Sequence, residues 1–312
     1  HCRAFVADAA PAGAAPMEEA AAAAPAPAAG QKRAAEDASP EEPAATRPAL
    51  GAGDRPRELP FGLELLLRLG LPDVAASAND VLGLNTIVAD VLALPDPQLS
   101  SEDMDALLRY RVPKLSPEGT CSVGDDLEDT PFDLSCVLPS LPSSPAAVPS
   151  SPAAVRLHRL KLIMSRLRAL ATPDWLGVYR AVPTPAGQGF AGAQPSAERC
   201  LVKEAYEGEP SRALFPLTEA FAEGSANSRV GLTGRAVAYE DVGDGGGEAE
   251  GYYKCSAKVR SELCVPILDA SGAVVGIIDA ESWTPGHFSA ARTLEIIKVA
   301  RDLGASPEFY LP

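Results

Sequence analysis

Two acidic side chains on one β-rich run are the best placed to do chemistry in this sequence. In the run AVVGIIDAE, Asp279 and Glu281 are two residues apart, so on a strand both point to one face. The rest of the run is apolar, and a carboxylate on a covered face is costly unless it has a partner or a task. Glu262, on the preceding run SELCVPIL, joins them if the two runs pair as a hairpin. Three converging carboxylates would bind an ammonium group. The alternative interpretation is that Asp279 and Glu281 lie on the solvent-exposed face of the strand and bind nothing.

A candidate nucleophile is the thiol of Cys255, in the stretch YYKCSAKVR. Lys254 and Lys258 are close to it in sequence, and nearby cations favour the reactive thiolate. The alternative is an ordinary buried cysteine, which behaves as a small hydrophobic residue.

The composition excludes several classes of partner. The chain has 312 residues and a formal net charge of -15, most of which falls in residues 1–155. The sequence has no basic stripe to neutralise phosphates and no uncharged apolar stretch long enough to cross a bilayer, so neither nucleic acid nor a membrane is expected. Its cysteines and histidines lack the spacing of a metal site, so no metal is expected either. Reduced thiols and a cytoplasmic location are predicted.

The sequence divides into four parts. Residues 1–58 are Ala/Pro-rich and are predicted to be disordered, with Met17 as a candidate initiator. Residues 59–114 are Leu-rich and predict short helices. Residues 115–155 contain PSSPAAV twice in succession and predict a disordered Pro/Ser linker. Residues 156–306 contain amphipathic helix and strand patterns and are predicted to form a folded domain.

One Leu-rich stretch has two interpretations. LELLL, residues 63–67, matches the LxxLL pattern that docks a helix into a partner's groove. Packing against neighbouring elements of the same chain is the commoner use of such a turn.

The last part of the chain predicts an α+β domain. RLHRLKLIMSRLRALA and SAARTLEIIKVARDLG are amphipathic helices, which open and close the domain. WLGVYRAV, with Trp175 and Tyr179, and RCLVKEAYEG predict strands, and SELCVPIL with AVVGIIDAE predicts a hairpin. Together these runs indicate an antiparallel sheet flanked by helices.

The stretches DWLGVYR, GLTGRAV, SELCVPILD and GAVVGIIDAES, in this order, resemble a GAF domain. More narrowly, they resemble the free methionine-(R)-sulfoxide reductases, over about residues 156–305. The resemblance implies an α+β fold, a GAF-type antiparallel sheet flanked by helices, after a long and partly disordered N-terminal region. It also implies reduction of free L-methionine-(R)-sulfoxide without a bound cofactor, with thioredoxin or glutathione as the external thiol reductant.

The resemblance assigns roles to individual positions. The substrate-binding aromatic pair falls on Trp175 and Tyr179. The thiolate would attack the sulfoxide sulfur while an acid protonates the departing oxygen. The catalytic roles fall on one cysteine and three acids: Cys255, Glu262, Asp279 and Glu281.

The sequence departs from the family at the GVCG turn, which is GLTG here, so Thr233 stands where the family has its other redox cysteine. Cys264, two residues after Glu262 on the same strand, is then the candidate resolving thiol, with Cys200 or a diffusible thiol as alternatives.

The rival hypothesis is a non-catalytic GAF sensor that has lost the resolving cysteine. Under either hypothesis, the expected ligand is free methionine sulfoxide or another small amino-acid-like molecule. Thioredoxin is a candidate protein partner, and a homodimer is left open.

Overall fold

The computed structural model describes residues 63–77, 84–115, 126–138, 151–184, 197–243 and 256–310. All of them belong to one compact unit. Cys255 and the predicted disordered stretch 1–58 lie outside the described residues.

The Leu-rich part forms short helices: α1 (Leu63–Leu69), α2 (Pro72–Ser77), α3 (Ile87–Leu92) and α4 (Ser101–Leu108). Their apolar side chains Leu66, Leu69 and Val91 are buried in one cluster with residues of the long helices α5 (Pro152–Ala171) and α8 (Ala290–Gly304). These helices therefore share a core with the domain that follows. Within LELLL, Leu66 faces that core and Leu67 is exposed.

A small two-stranded sheet follows α4. Strand β1 (Arg109–Tyr110) pairs antiparallel with β2 (Phe132–Asp133), and a 3-10 helix runs over Leu134–Cys136. The predicted disorder does not hold for residues 126–138, because Phe132, Leu134 and Leu138 are buried. Cys136 is disulfide-bonded, so the expectation of reduced thiols fails at this position. We call residues 99–115 and 126–138 the pre-linker segment.

The main sheet has the strand order β5-β4-β3-β8-β7-β6, and every neighbouring pair is antiparallel. The predicted α+β fold with an antiparallel sheet flanked by helices is confirmed. The strands are β3 (Trp175–Pro183), β4 (Arg199–Glu207), β5 (Leu214–Pro216), β6 (Val237–Tyr239), β7 (Ser261–Leu268) and β8 (Val274–Ser282).

The two faces of the sheet carry different layers. The outer face packs Leu176, Val178 and Ile278 against α5 and α8. The inner face packs Trp175 and Tyr179 with residues of the short helices α6 (Glu219–Ala222) and α7 (Ala226–Thr233). Because side chains alternate along a strand, this division decides which polar residues meet on the inner face.

Candidate functional site

The register of the central strands brings the three predicted acids together. Glu262 on β7 is paired with Glu281 on β8, and Cys264 is paired with Asp279. Residues two apart share a face, so all four side chains belong to the inner face. The exposed fractions of Glu262, Asp279 and Glu281 are 4%, 2% and 5%, so the acids do not face solvent. We call these three residues the acid cluster.

Strand β3 places an aromatic wall beside the acid cluster. Trp175 is paired with Glu281, and its ring centroid lies 6.4 Å from that of Tyr179. Gly177, opposite Asp279, lies between the two aromatic residues on the same face. A Cβ atom at Gly177 would approach the Trp175 ring to 2.3 Å, so the ring packs over the strand because this position has no side chain.

Two backbone carbonyls fix the orientation of the aromatic rings. The Trp175 Nε1 atom donates a hydrogen bond to the carbonyl of Glu209 over 3.0 Å, and the Tyr179 hydroxyl donates to that of Arg212 over 3.4 Å. Both rings are almost fully buried, and they present apolar surface to the acid cluster.

The environment of Asp279 shifts the pKa of its carboxyl group far from the ordinary value. Burial raises the pKa of Asp279 from 3.8 to about 7. Hydrogen bonds from Asn227, Glu262 and the Ala280 backbone, and the charge of Lys203, act in the opposite direction. Its Oδ1 atom has no hydrogen-bond partner among the described residues. A buried carboxyl group that titrates near neutral pH can serve as a general acid.

Asn227, on α7, links the acid cluster to the cysteine. Its Oδ1 atom accepts a hydrogen bond from the Cys264 thiol over 3.4 Å, and its side chain also binds the Asp279 carboxylate. Because the amide oxygen accepts from the thiol, the amide nitrogen is the group that donates to Asp279.

Cys264 is fully buried within the acid cluster. Burial, and then the charges of Asp279, Glu262 and Glu281, raise the pKa of its thiol well above the ordinary value. The side chain is therefore a neutral thiol at physiological pH, which is a poor nucleophile.

A buried ammonium group completes the inner face. Lys203, on β4, is fully buried, and its Nζ atom lies 5.8 Å from the centroid of the Trp175 ring. The charge of Lys203 acts on Asp279 in the direction that favours the ionised carboxylate.

No protein-family profile and no curated protein matches the chain. A type II free methionine-(R)-sulfoxide reductase of Thermoplasma acidophilum is similar to 51% of this chain over 94% of its own length, with 19% identity and a TM-score of 0.39. The Neisseria meningitidis enzyme, solved with its substrate, is similar over 49% of this chain and 77% of its own, with 20% identity and a TM-score of 0.38.

The GAF domain of an Acinetobacter phosphoenolpyruvate-protein phosphotransferase is similar over 48% of this chain and 79% of its own, with 16% identity and a TM-score of 0.35. All three TM-scores are below 0.5. At these identities the likeness concerns the fold, and nothing about ligand or activity follows from it.

The folded domain brings together most of the predicted site residues. Trp175 and Tyr179 lie on the inner face with Cys264 and the acid cluster. Cys255 lies outside the described residues. Thr233 is exposed at the end of α7, where its hydroxyl donates to the carbonyl of Arg229.

Cys200, the alternative resolving thiol, is in a different environment. It is buried in the hydrophobic cluster that contains Met104 and Leu157, away from the residues that surround the acids. Burial raises the pKa of its thiol to about 11.

Two polar residues of the site, Asn227 and Lys203, were not predicted from the sequence. Asn227 follows the helix N-cap Ser225 in ANSRVGLT, where a polar residue is expected on any helix. Lys203 lies in RCLVKEAYEG beside a glutamate, which is typical of a solvated strand. Local signals therefore did not distinguish either residue.

The described residues contain no group of three or more His, Cys, Asp or Glu side chains able to hold a metal ion. In the part of the chain that the structure describes, no helix is long and apolar enough to span a membrane.

Proposed function

We propose that this site reduces free L-methionine-(R)-sulfoxide to methionine. The observation that carries the proposal is the state of Asp279, a buried acid whose pKa is raised to about 7 and whose Oδ1 atom has no partner among the described residues. A site that only binds an ammonium group is served best by ionised carboxylates. A carboxyl group that is partly protonated at neutral pH is suited to deliver a proton to a sulfoxide oxygen.

The remaining residues have consistent roles in this reaction. Glu262 and Glu281 bind the ammonium group of the amino acid, and Trp175 and Tyr179 contact its methylthio end. The Cys255 thiolate attacks the sulfoxide sulfur while Asp279 protonates the oxygen. The oxygen passes to the sulfur of Cys255, which leaves methionine and a sulfenic acid.

Regeneration requires a second thiol. It condenses with the sulfenic acid to form a disulfide and releases water, and an external thiol reductant, thioredoxin or glutathione, then reduces that disulfide. Cys264 is the candidate within this chain because it lies on the inner face beside Asp279. Its raised pKa would make this step slow at neutral pH, and a diffusible thiol can replace it.

The second candidate function is a non-catalytic sensor that binds a small amino-acid-like ligand. Two observations favour it: Thr233 is exposed and carries no thiol at the GLTG turn, and Cys264 is held as a neutral thiol. The acid cluster and the aromatic wall would serve binding equally well without any redox step.

Turnover by the full chain distinguishes these functions, and the full chain is needed because α1 and α3 share the core of the domain. With dithiothreitol as reductant, we expect multiple turnovers of free methionine-(R)-sulfoxide and none of the (S) epimer. Cys255→Ser should abolish turnover, and Asp279→Asn should lower kcat by about 100-fold or more.

Two results would count against the reductase. Full activity in Asp279→Asn would remove the proton-donor role. No turnover by the wild type, together with a rise in Tm on adding methionine or its sulfoxide, would leave the sensor as the function.

A further inference from the structure

The loop between β4 and β5, residues 208–213, orients both rings of the aromatic wall. Its Glu209 carbonyl accepts the hydrogen bond from the Trp175 Nε1 atom over 3.0 Å, and its Arg212 carbonyl accepts from the Tyr179 hydroxyl over 3.4 Å. We call these six residues the β4–β5 loop. Because both acceptors are backbone atoms of this loop, the orientation of the rings depends on what holds the loop in place.

The first half of the β4–β5 loop is exposed. Gly208, Glu209 and Pro210 all face solvent, and the Glu209 carboxylate forms an ion pair with Lys258 in which both side chains are half exposed. An ion pair of this kind contributes little to stability. The loop nevertheless begins directly against an aromatic ring, because a Cβ atom at Gly208 would lie 2.6 Å from the Cδ1 atom of Trp175.

A buried lysine holds the second half of the loop. The Nζ atom of Lys203 donates hydrogen bonds to the backbone oxygen and to the hydroxyl of Ser211, each over 2.7 Å, and Ser211 and Arg212 are both buried. Hydrogen bonds from a charged donor are stronger than neutral ones, and in a buried site water does not compete for them. Lys203 therefore holds the loop more firmly than the exposed ion pair of Glu209 does.

Three aromatic rings surround the ammonium group of Lys203. Its Nζ atom lies 4.1 Å from the centroid of the Tyr206 ring, 4.9 Å from that of Tyr110 and 5.8 Å from that of Trp175. An ammonium group is expensive to bury, and cation–π contacts together with the bonds to Ser211 offset that cost. These contacts define where the ammonium group lies.

An irregularity in the pairing of β3 and β4 places Lys203 on the inner face. Val178 pairs with Ala205, but the next residue, Tyr179, pairs with Lys203, so Glu204 is skipped. Lys203 therefore lies directly opposite Tyr179, on the face that carries the aromatic wall.

The pre-linker segment supplies one of the three rings. Tyr110 belongs to β1, and its hydroxyl donates a hydrogen bond to the backbone carbonyl of Lys203 over 2.7 Å. Its ring packs edge-on against Tyr206 at 5.5 Å, and Tyr206 stacks in turn on Trp175 at 6.3 Å. Both the backbone and the ammonium group of Lys203 are thus in contact with Tyr110.

We propose that Lys203 is a positioning residue for the aromatic wall, because its ammonium group holds the β4–β5 loop and the carbonyls of that loop hold the rings of Trp175 and Tyr179. Ser211 is next to Arg212 and two residues from Glu209, so fixing Ser211 limits the motion of both carbonyls. The proposal deepens the proposed function and rests on it for the ligand alone, since these two rings are the ones assigned to the methylthio end of the substrate.

Hydrogen exchange of the Trp175 indole N–H, followed by NMR in the full chain without ligand, tests the proposal. The chain has two tryptophans, so a Trp283→Phe background leaves a single indole signal. Lys203→Met removes both bonds to Ser211, and the indole proton should then exchange about 10-fold faster or more. Ser211→Ala removes one of the two bonds and should accelerate the exchange by about 3-fold.

Two control variants separate loss of this contact from other effects. Glu209→Gln removes the exposed ion pair but keeps the backbone carbonyl, so indole exchange should stay within about 2-fold of the background. Leu107→Ala, at a buried position of the pre-linker segment, should lower Tm and leave the exchange unchanged. Exchange in folded Lys203→Met no faster than in Leu107→Ala would overturn the proposal. If Lys203→Met does not fold, Ser211→Ala decides, and exchange equal to that of Glu209→Gln would overturn the proposal.

Calorimetric titration with methionine tests the consequence for the ligand. Because a less ordered wall must be fixed on binding, Lys203→Met should bind methionine about 10-fold more weakly than the wild type. Equal affinities, despite faster indole exchange, would overturn the link between this wall and the ligand. If the wild type does not bind methionine at all, the proposed function fails, whereas the exchange result still decides whether Lys203 positions the wall.

Discussion

The thiol of Cys264 donates a hydrogen bond to the Oδ1 atom of Asn227 over 3.4 Å, and the same amide group binds the Asp279 carboxylate. One helix residue therefore ties the candidate resolving thiol to the candidate proton donor. Burial raises the pKa of both groups, because it disfavours their charged forms, and for the Cys264 thiol the charges of the neighbouring carboxylates raise the pKa further. At neutral pH Cys264 is therefore a thiol, and Asp279, with a pKa of about 7, is partly protonated.

The Cys264 thiol should resist alkylation in the folded chain. Its raised pKa leaves little thiolate, and its side chain is fully buried, so iodoacetamide at pH 8 should modify it only after unfolding in urea. Peptide mass spectrometry before and after unfolding measures this, with Cys200, which is also buried, as the internal comparison. Rapid modification of Cys264 in the native chain would show that it opens to solvent, and would strengthen its role as the resolving thiol.

Replacing Asp279 by asparagine should stabilise the fold at high pH. In the folded chain the pKa of Asp279 is about 7, against 3.8 for an ordinary aspartate, so the unfolded chain loses this proton first as pH rises. Stability from this group is complete below pH 4 and is lost as pH rises through 7. Between pH 4 and pH 8 the Asp279→Asn variant should therefore gain about 4 kcal/mol in free energy of unfolding relative to the wild type.

Urea unfolding at both pH values measures that difference. The matched control is Asp73→Asn, at an exposed position in the first turn of α2. A constant difference between wild type and Asp279→Asn at the two pH values would contradict the raised pKa.

Breaking the ion pair on the outer side of β4 should be costly. Glu204 lies 2.7 Å from Arg156 and 3.9 Å from Arg180, and all three side chains are buried. Glu204→Gln would leave two buried guanidinium groups without a carboxylate, at a cost of about 3–5 kcal/mol in free energy of unfolding. Glu209→Gln, in the exposed pair with Lys258, should cost less than about 1 kcal/mol. Similar urea midpoints for the two variants would disagree with this expectation.

Two neighbouring leucines separate the two interpretations of LELLL. Leu66 is 0% exposed and Leu67 is 55% exposed. If α1 packs on its own domain, Leu66→Ala should lower the free energy of unfolding by about 2–4 kcal/mol and Leu67→Ala by less than about 0.5 kcal/mol. Equal and small effects in thermal unfolding would instead indicate that α1 is available to a partner.

The sheet and the acid cluster follow from short-range patterns in the sequence. Asp279 and Glu281 must share a face of any strand that contains them, because side chains alternate with a period of two. The tight turn between β7 and β8 then brings Glu262 opposite Glu281, since a hairpin allows few registers. The Leu-rich helices were also predicted from their composition, but their attachment to the core of the domain was not.

What the sequence by itself determined is therefore local: the helices, the strands, the hairpin and the fact that Asp279 and Glu281 share one face of their strand. Tertiary structure alone decided that Asn227 bridges Cys264 and Asp279, and that the Tyr110 hydroxyl donates a hydrogen bond to the backbone carbonyl of Lys203, 93 residues further along the chain. These contacts join side chains that no periodicity relates. The first depends on the packing of α7 on the inner face, and the second on the irregular pairing of β3 and β4, which skips Glu204, and on the packing of the pre-linker segment. The protonation of Asp279 depends in turn on burial and on those neighbours, and both exist only once the chain has folded.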